Sequence, residues 1–120
     1  ALTARQRAYA PYSKFQVGAA LATPDGMVFT GCNVENAAYP SGTCAEQAAI
    51  AAMVAAGAYK IEALVVVADG PRPVTPCGAC RQRIREFANA QTKVHLKTDT
   101  QEETYLLHDL LPHSFGPESL

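Results

Sequence analysis

Apolar positions run almost unbroken from Ile61 to Ala68, with three valines among them. Such a run predicts a strand buried on both faces of a sheet. Lys14–Ala22 and Met27–Val34 mix Val and Phe with small residues and predict two more strands. Pro24-Asp25-Gly26 between them is a turn signal, so the pair is expected to form a hairpin. Thr92–Lys97 alternates as a strand does, and Glu102–Leu106 predicts a short one. Cys44–Ala56 is alanine-rich and predicts a helix that Gly57 stops. Cys77–Ala88 predicts a second helix with its arginines on the exposed side. Arg5–Ala10 reads as the end of a helix halted by Pro11, and Leu107–Leu111 as a short helix before Pro112. Asn36–Gly42 and Asp69–Pro76 are rich in turn residues and predict loops.

A hairpin followed by strand–helix–strand–helix–strand order predicts an α/β layer fold. The helices from Cys44 and Cys77 each follow an extended segment. Packed on one face of the sheet, their N-termini would sit side by side. Helix N-termini carry partial positive charge and unpaired N–H groups, which suit a cluster of thiolates.

The 120 residues are about one domain's length, so 1–120 is expected to be a single unit. The chain opens inside a helix-like segment, so residues preceding Ala1 are expected. At 48% hydrophobic the chain can bury a real core. Its net charge is −1 and no basic run exists, which disfavours nucleic acid as a partner. No stretch approaches twenty apolar residues and no leader is visible, so no membrane partner is expected. Cysteines in a Cys-x-x-Cys context without a leader point to a reducing, cytoplasmic compartment and to metal binding. Two disulfides are the rival use of the four cysteines.

Cys44, Cys77 and Cys80 are the candidate ligands. Cys77 and Cys80 are three apart and project from one face of a first turn. Zinc takes four tetrahedral ligands, and three protein ligands with an open fourth position mark a catalytic site. A closed structural site would need Cys32 or one of His95, His108 and His113. Cys32 sits within a predicted strand and reads as a small buried residue, and no histidine has ligand-like spacing. Glu46, two residues from Cys44, is placed to move protons for a metal-activated water. Its bland reading is a capping box, Thr43 to Glu46. Ligand-x-Glu followed by Pro-Cys-x-x-Cys resembles the signature of zinc deaminases. Asn33 and Glu35 close an apolar strand and could serve sugar hydroxyls, although alone they read as a turn. Phe15 and Phe115 default to packing. The alanine-rich stretch from Ala48 to Ala56 reads as a packed helix face, in the core or between subunits.

These residues converge on a family. The chain resembles the small homotetrameric cytidine deaminases over nearly its whole length. The match runs through Ala10-Pro11-Tyr12-Ser13-Lys14-Phe15, Val17-Gly18-Ala19-Ala20 and Gly31-Cys32-Asn33-Val34-Glu35-Asn36-Ala37. It continues through Cys44-Ala45-Glu46, Pro76-Cys77-Gly78-Ala79-Cys80-Arg81-Gln82, Leu110-Leu111-Pro112 and Phe115-Gly116-Pro117. The zinc motifs define the wider superfamily; the Asn33/Glu35 segment and the Phe115 tail are more specific. The resemblance implies a three-layer α/β/α sandwich around a mixed five-stranded sheet. It implies one Zn²⁺ per chain on Cys44, Cys77 and Cys80, with Glu46 as proton shuttle. Asn33 and Glu35 would hold the ribose 3′-hydroxyl, and Phe15 and Ala45 would line the nucleoside pocket. Tyr39 and Phe115 would reach into a neighbouring subunit's site, which requires the homotetramer. The implied reaction is attack of zinc hydroxide on C4 of cytidine or 2′-deoxycytidine, giving the uridine product and ammonia, as in pyrimidine salvage.

One departure stands out. Many relatives carry Arg after the glutamate, whereas this chain has Gln47. Helix N-termini and Arg81 are then expected to offset the negative charge of the site. The rival readings are a blasticidin-S-type deaminase, a polynucleotide-editing deaminase and a non-catalytic zinc-stabilised module. Asn33, Glu35 and Phe115 argue against the first. Cys44 as first ligand and the net charge argue against the second. An occupied fourth protein ligand would favour the third.

Overall fold

The computed structural model describes residues Ala1–Leu120. Five strands form one sheet: β1 (Val17–Ala22), β2 (Val28–Cys32), β3 (Ala63–Ala68), β4 (Lys93–Lys97) and β5 (Glu102–Leu106). Their order is β2-β1-β3-β4-β5. β1 pairs antiparallel with both β2 and β3, β3 pairs parallel with β4, and β5 returns antiparallel on β4. The sheet is therefore mixed and five-stranded, as expected. The helices are α1 (Leu2–Gln6), α2 (Ala45–Ala55), α3 (Gly78–Phe87) and α4 (Leu107–Leu110).

The pairing explains where the site must fall. β2, β3 and β4 all run the same way, because β2 and β3 share the antiparallel neighbour β1. α2 follows β2 and α3 follows β3, so both helices begin at the same end of the sheet. Ligand sites in such sheets collect beyond the carboxyl ends of parallel strands.

Two glycines set the layers. Ala19 pairs with Gly31 and Gly18 with Cys32, so Gly31 and Gly18 face opposite ways. A Cβ on Gly31 would strike the backbone of α2; one on Gly18 would strike the backbone of α1. α2 and α3 thus cover one face and α1 begins to cover the other, giving three layers. The core lies on the α2–α3 side, where Leu21, Met53, Leu64, Ile84, Val94 and Leu96 are fully buried. β3 is less symmetric than its apolar run predicts. Leu64 and Val66 enter the core, while Val65 on the α1 side is only half-buried. Arg5 ties α1 across to Asp69 at 2.9 Å, just past the end of β3.

Several boundaries differ from expectation. The first helix ends at Gln6, not Ala10. Residues 14–16 are not strand, because Lys14 adopts φ 62° and the Ser13 hydroxyl accepts from the Phe15 N–H. Val34 lies beyond β2 but bridges both Tyr9 and Thr43, so the loops around the site are stitched by backbone pairing. Gly26 turns the β1–β2 hairpin at φ 88°, as its sequence predicts.

Candidate metal centre and substrate cleft

The thiols of Cys44, Cys77 and Cys80 come together with their sulfurs within 4.8 Å of one another. Cys44 is the N-cap of α2 and Cys77 the N-cap of α3, with Cys80 in the first turn of α3. No histidine and no fourth cysteine joins them. Cys32 is apart from the cluster and half-buried rather than fully buried, and all four cysteines are unpaired.

This donor set fits zinc. Three thiols at two helix N-termini are soft, converging and close to the roughly 3.8 Å separation that tetrahedral Zn–S bonds of about 2.3 Å require. The ionisation pattern fits as well. Burial pushes the Cys80 thiol well above its ordinary value, and neighbouring Glu46, Cys44 and Cys77 add to the rise. Burial also raises Cys44. At Cys77 burial is outweighed by the Cys80 backbone N–H and the other two thiols, so its thiol is the most acidic of the set. A divalent cation is the group that would let all three ionise together.

Glu46 is 5% exposed and lines the cleft beside Cys44 and Cys77. Burial raises its pKa above the ordinary carboxyl value, opposed by its own backbone N–H and by the charge of Arg83. The capping box exists, but one residue further on than expected. Cys44 is the cap and Gln47 its partner, with the Cys44 N–H donating to Gln47 Oε1 at 3.4 Å. Glu46 is thereby left without a capping role, and Gln47 has one.

The cleft encloses about 640 Å³, within the usual range for small-molecule sites. Cys44, Ala45, Glu46 and Cys77 line it, together with Asn33, Glu35 and Tyr39. Asn33 Oδ1 accepts from the Val17 N–H at 2.8 Å, and Nδ2 donates to the Phe15 carbonyl at 2.9 Å. Glu35 Oε1 accepts from the backbone of Tyr12 and Ser13, and Oε2 from the Ser13 hydroxyl. The Ser13 hydroxyl is the main cause that holds the Glu35 carboxyl below its ordinary value. Both side chains therefore fix the 12–17 loop, which their reading as ligand contacts had not foreseen.

Phe15 and Phe115 lie outside the lining of this cleft. Phe115 is 58% exposed, with its carbonyl held by Gln82 Nε2 at 3.0 Å. Tyr39 is 79% exposed and stacks edge-on against Tyr12. Arg81 does not reach the thiols. Its guanidinium donates to the carbonyls of Pro76 and Leu110 and to the Thr75 hydroxyl, at 2.7–2.9 Å. Arg83 is the arginine that does, from Nη1 to Cys80 Sγ at 3.5 Å. Sequence reasoning had placed it on the solvent side of α3; its three-residue spacing from Cys80 was the available signal. Thr43, which the sequence marked only as a helix cap, also lines the cleft, as do Val74 and Thr75, which carried no sequence signal.

Three thiols converging with one buried carboxylate beside an open cleft define a metal-assisted hydrolytic centre. Residues 1–96 match the family model for the cytidine and deoxycytidylate deaminase zinc-binding region. The chain is 50% identical to a cytidine deaminase of Sporosarcina psychrophila, over 98% of this chain and 87% of that one. It is 48% identical to the cytidine deaminase of Halalkalibacterium halodurans, over 100% and 92%. A crystal structure of cytidine deaminase from Burkholderia pseudomallei superposes with TM-score 0.91 at 46% identity, covering 96% of this chain and 93% of that one. The chain belongs to the cytidine and deoxycytidylate deaminase family, whose cofactor is zinc.

Proposed function

We propose that this protein deaminates cytidine and 2′-deoxycytidine to uridine and 2′-deoxyuridine, releasing ammonia. The observation that carries the reading is a buried Glu46, free of its helix cap, beside three converging thiols. Cys44, Cys77 and Cys80 hold the zinc, one ion per chain. Zinc, when bound, lowers the pKa of a water and so supplies a nucleophile at neutral pH. Glu46 takes the proton of that water as it adds to C4 of the pyrimidine. The same carboxyl delivers that proton to N3, then takes the remaining proton of the hydroxyl added at C4 and passes it to the departing amino group, leaving the C4 carbonyl and ammonia. Burial suits a carboxyl that must act as base and then as acid.

Asn33 and Glu35 hold the ribose 3′-hydroxyl. Each retains hydrogen-bonding capacity after fixing the 12–17 loop: Asn33 keeps a second Nδ2 hydrogen, and Glu35 keeps lone pairs on Oε2. Their loop contacts thus preorganise them for the sugar. Ala45 abuts the base. Phe115 and Tyr39, exposed on an isolated chain, reach a neighbour's cleft in a homotetramer, and Phe15, whose backbone is bonded to Ser13 and Asn33 of the lining, serves the nucleoside pocket of its own chain. Free thiols belong to the reducing cytoplasm, and no helix is long and apolar enough to cross a membrane. The test is ammonia release with the fall in cytosine absorbance, using cytidine, deoxycytidine and blasticidin S. Turnover of the nucleosides alone supports the reading; turnover of blasticidin S alone overturns it.

A further inference from the structure

Cys80 is fully buried, and a buried thiolate is costly unless a positive group faces it. The third ligand therefore requires more than the metal. Three thiolates around a divalent ion leave one net negative charge inside the protein. Gln47, on the helix that carries Cys44, is neutral and engaged with the Cys44 backbone. Arg81 is engaged with two carbonyls and a hydroxyl. Arg85 is paired with Glu118. Arg83 remains. It is half-buried, no carboxylate forms an ion pair with it, and its hydrogen bond is to Cys80 Sγ at 3.5 Å. Helical side chains lean towards the helix N-terminus, so a residue three positions after Cys80 reaches back over it.

We propose that Arg83 is the charge-balancing residue of the metal centre, acting by donating to the Cys80 thiolate. It is a positioning residue, since it works through a ligand and not on the substrate. The proposal rests on Cys44, Cys77 and Cys80 being the ligands. Its consequence is that the positive charge expected after Glu46, and absent at Gln47, enters the site from α3 instead.

The test uses the full chain and two metals, zinc and its spectroscopic stand-in cobalt(II). Arg83→Gln should weaken zinc binding in chelator competition by about 10–100-fold, the usual effect of removing a partner of a metal ligand. The sulfur-to-cobalt charge-transfer band should shift as well. Arg83→Lys restores the charge and should recover most of the affinity. Lys60→Gln removes an equal charge from an exposed loop and should change neither measurement. Circular dichroism of the metal-free proteins establishes that folding is intact; should Arg83→Gln not fold, the lysine variant must still fall between wild type and Arg83→Met. Wild-type affinity and an unmoved band in Arg83→Gln overturn the proposal, as does a lysine variant no better than glutamine. A wild-type chain that binds cobalt without a sulfur charge-transfer band overturns the ligand assignment itself.

Discussion

Gly31→Ala is a one-carbon change where β2 packs against α2, yet it should disable the site. A Cβ at this position would lie 2.5 Å from the Ala49 nitrogen, 2.6 Å from the Ala45 oxygen and 2.7 Å from the Ala48 Cβ. Ordinary contact begins at 3.4 Å, so the nearest atom must retreat by about 0.9 Å. Two of the three atoms are backbone of α2, and no rotamer can relieve them. The helix must shift or tilt, and Ala45 sits between the ligand Cys44 and Glu46. Overpacking of this kind costs about 1–3 kcal/mol, equivalent to a fall of about 5–15 °C in Tm for a domain of this size. A displacement near 1 Å at reacting groups costs about 100-fold in rate. The expected outcome is a folded variant with a lowered Tm, weakened zinc retention and kcat/KM for cytidine down by about 100-fold.

Gly18→Ala supplies the contrast. Its Cβ would strike Ala1 and Arg5 of α1, on the opposite face of the sheet. α1 is five residues long and carries no site residue, so it can give way. Tm should fall, while zinc content and rate per folded molecule remain near wild type. Thermal melts, metal analysis and steady-state kinetics on both variants decide the matter. The reasoning fails if Gly31→Ala keeps wild-type zinc affinity and turnover, or if both glycine variants lose activity equally.

Glu46→Gln should keep fold and zinc but lose turnover by at least 10²–10⁴-fold, the usual contribution of a proton-transfer group; a variant with zinc and a tenth of the wild-type rate would remove Glu46 from the mechanism. Asn33→Ala and Glu35→Gln should raise KM for nucleosides more than they change Tm, and equal use of cytosine and cytidine by the wild type would contradict their role. The Glu35 carboxyl also sets a pH limit: its folded pKa is depressed below 4.5, so its hold on residues 12–13 is complete above that value and is lost as pH falls through the folded pKa. Glu35→Gln should abolish that acid limb in the KM profile, and an unchanged limb would assign it elsewhere. Phe115→Ala should preserve zinc content and weaken nucleoside use, and light scattering across a dilution series should give a tetramer; an active monomer would overturn the shared site.

The strands and the two long helices were legible because their patterns are long and uninterrupted. The error at residues 14–16 has a clear cause. Asn33 takes the Val17 N–H and the Phe15 carbonyl, partners that a strand beginning at Lys14 would have given to its neighbours. A side chain eighteen residues away in sequence thus decided a strand boundary. The arginines of α3 were misplaced for a related reason. Binary patterning assigns charge to solvent, but Arg81, Arg83 and Arg85 fold back onto loop carbonyls, a thiol and the C-terminal tail. The clustering of Cys44, Cys77 and Cys80 was legible because thiols with that spacing have few other uses in a chain without disulfides.

The position of the α2 cap carries the most chemical weight of these differences. Had Thr43 been the cap, Glu46 would occupy the third helical position and its carboxyl would be drawn back to the backbone. With Cys44 as cap the helix begins one residue later. Gln47 takes the backbone N–H, and Glu46 stands at the second position, facing the cleft. α3 repeats the device with Cys77 as its cap. Placing a ligand at each cap presents thiolates to unpaired N–H groups and to the positive ends of two helices at once. The strand order then forces the two caps together, since α2 and α3 both leave the same end of the sheet. A neutral Gln47 is thus compatible with a thiolate-rich centre: it holds the cap that frees Glu46, while the balancing charge comes from the neighbouring helix.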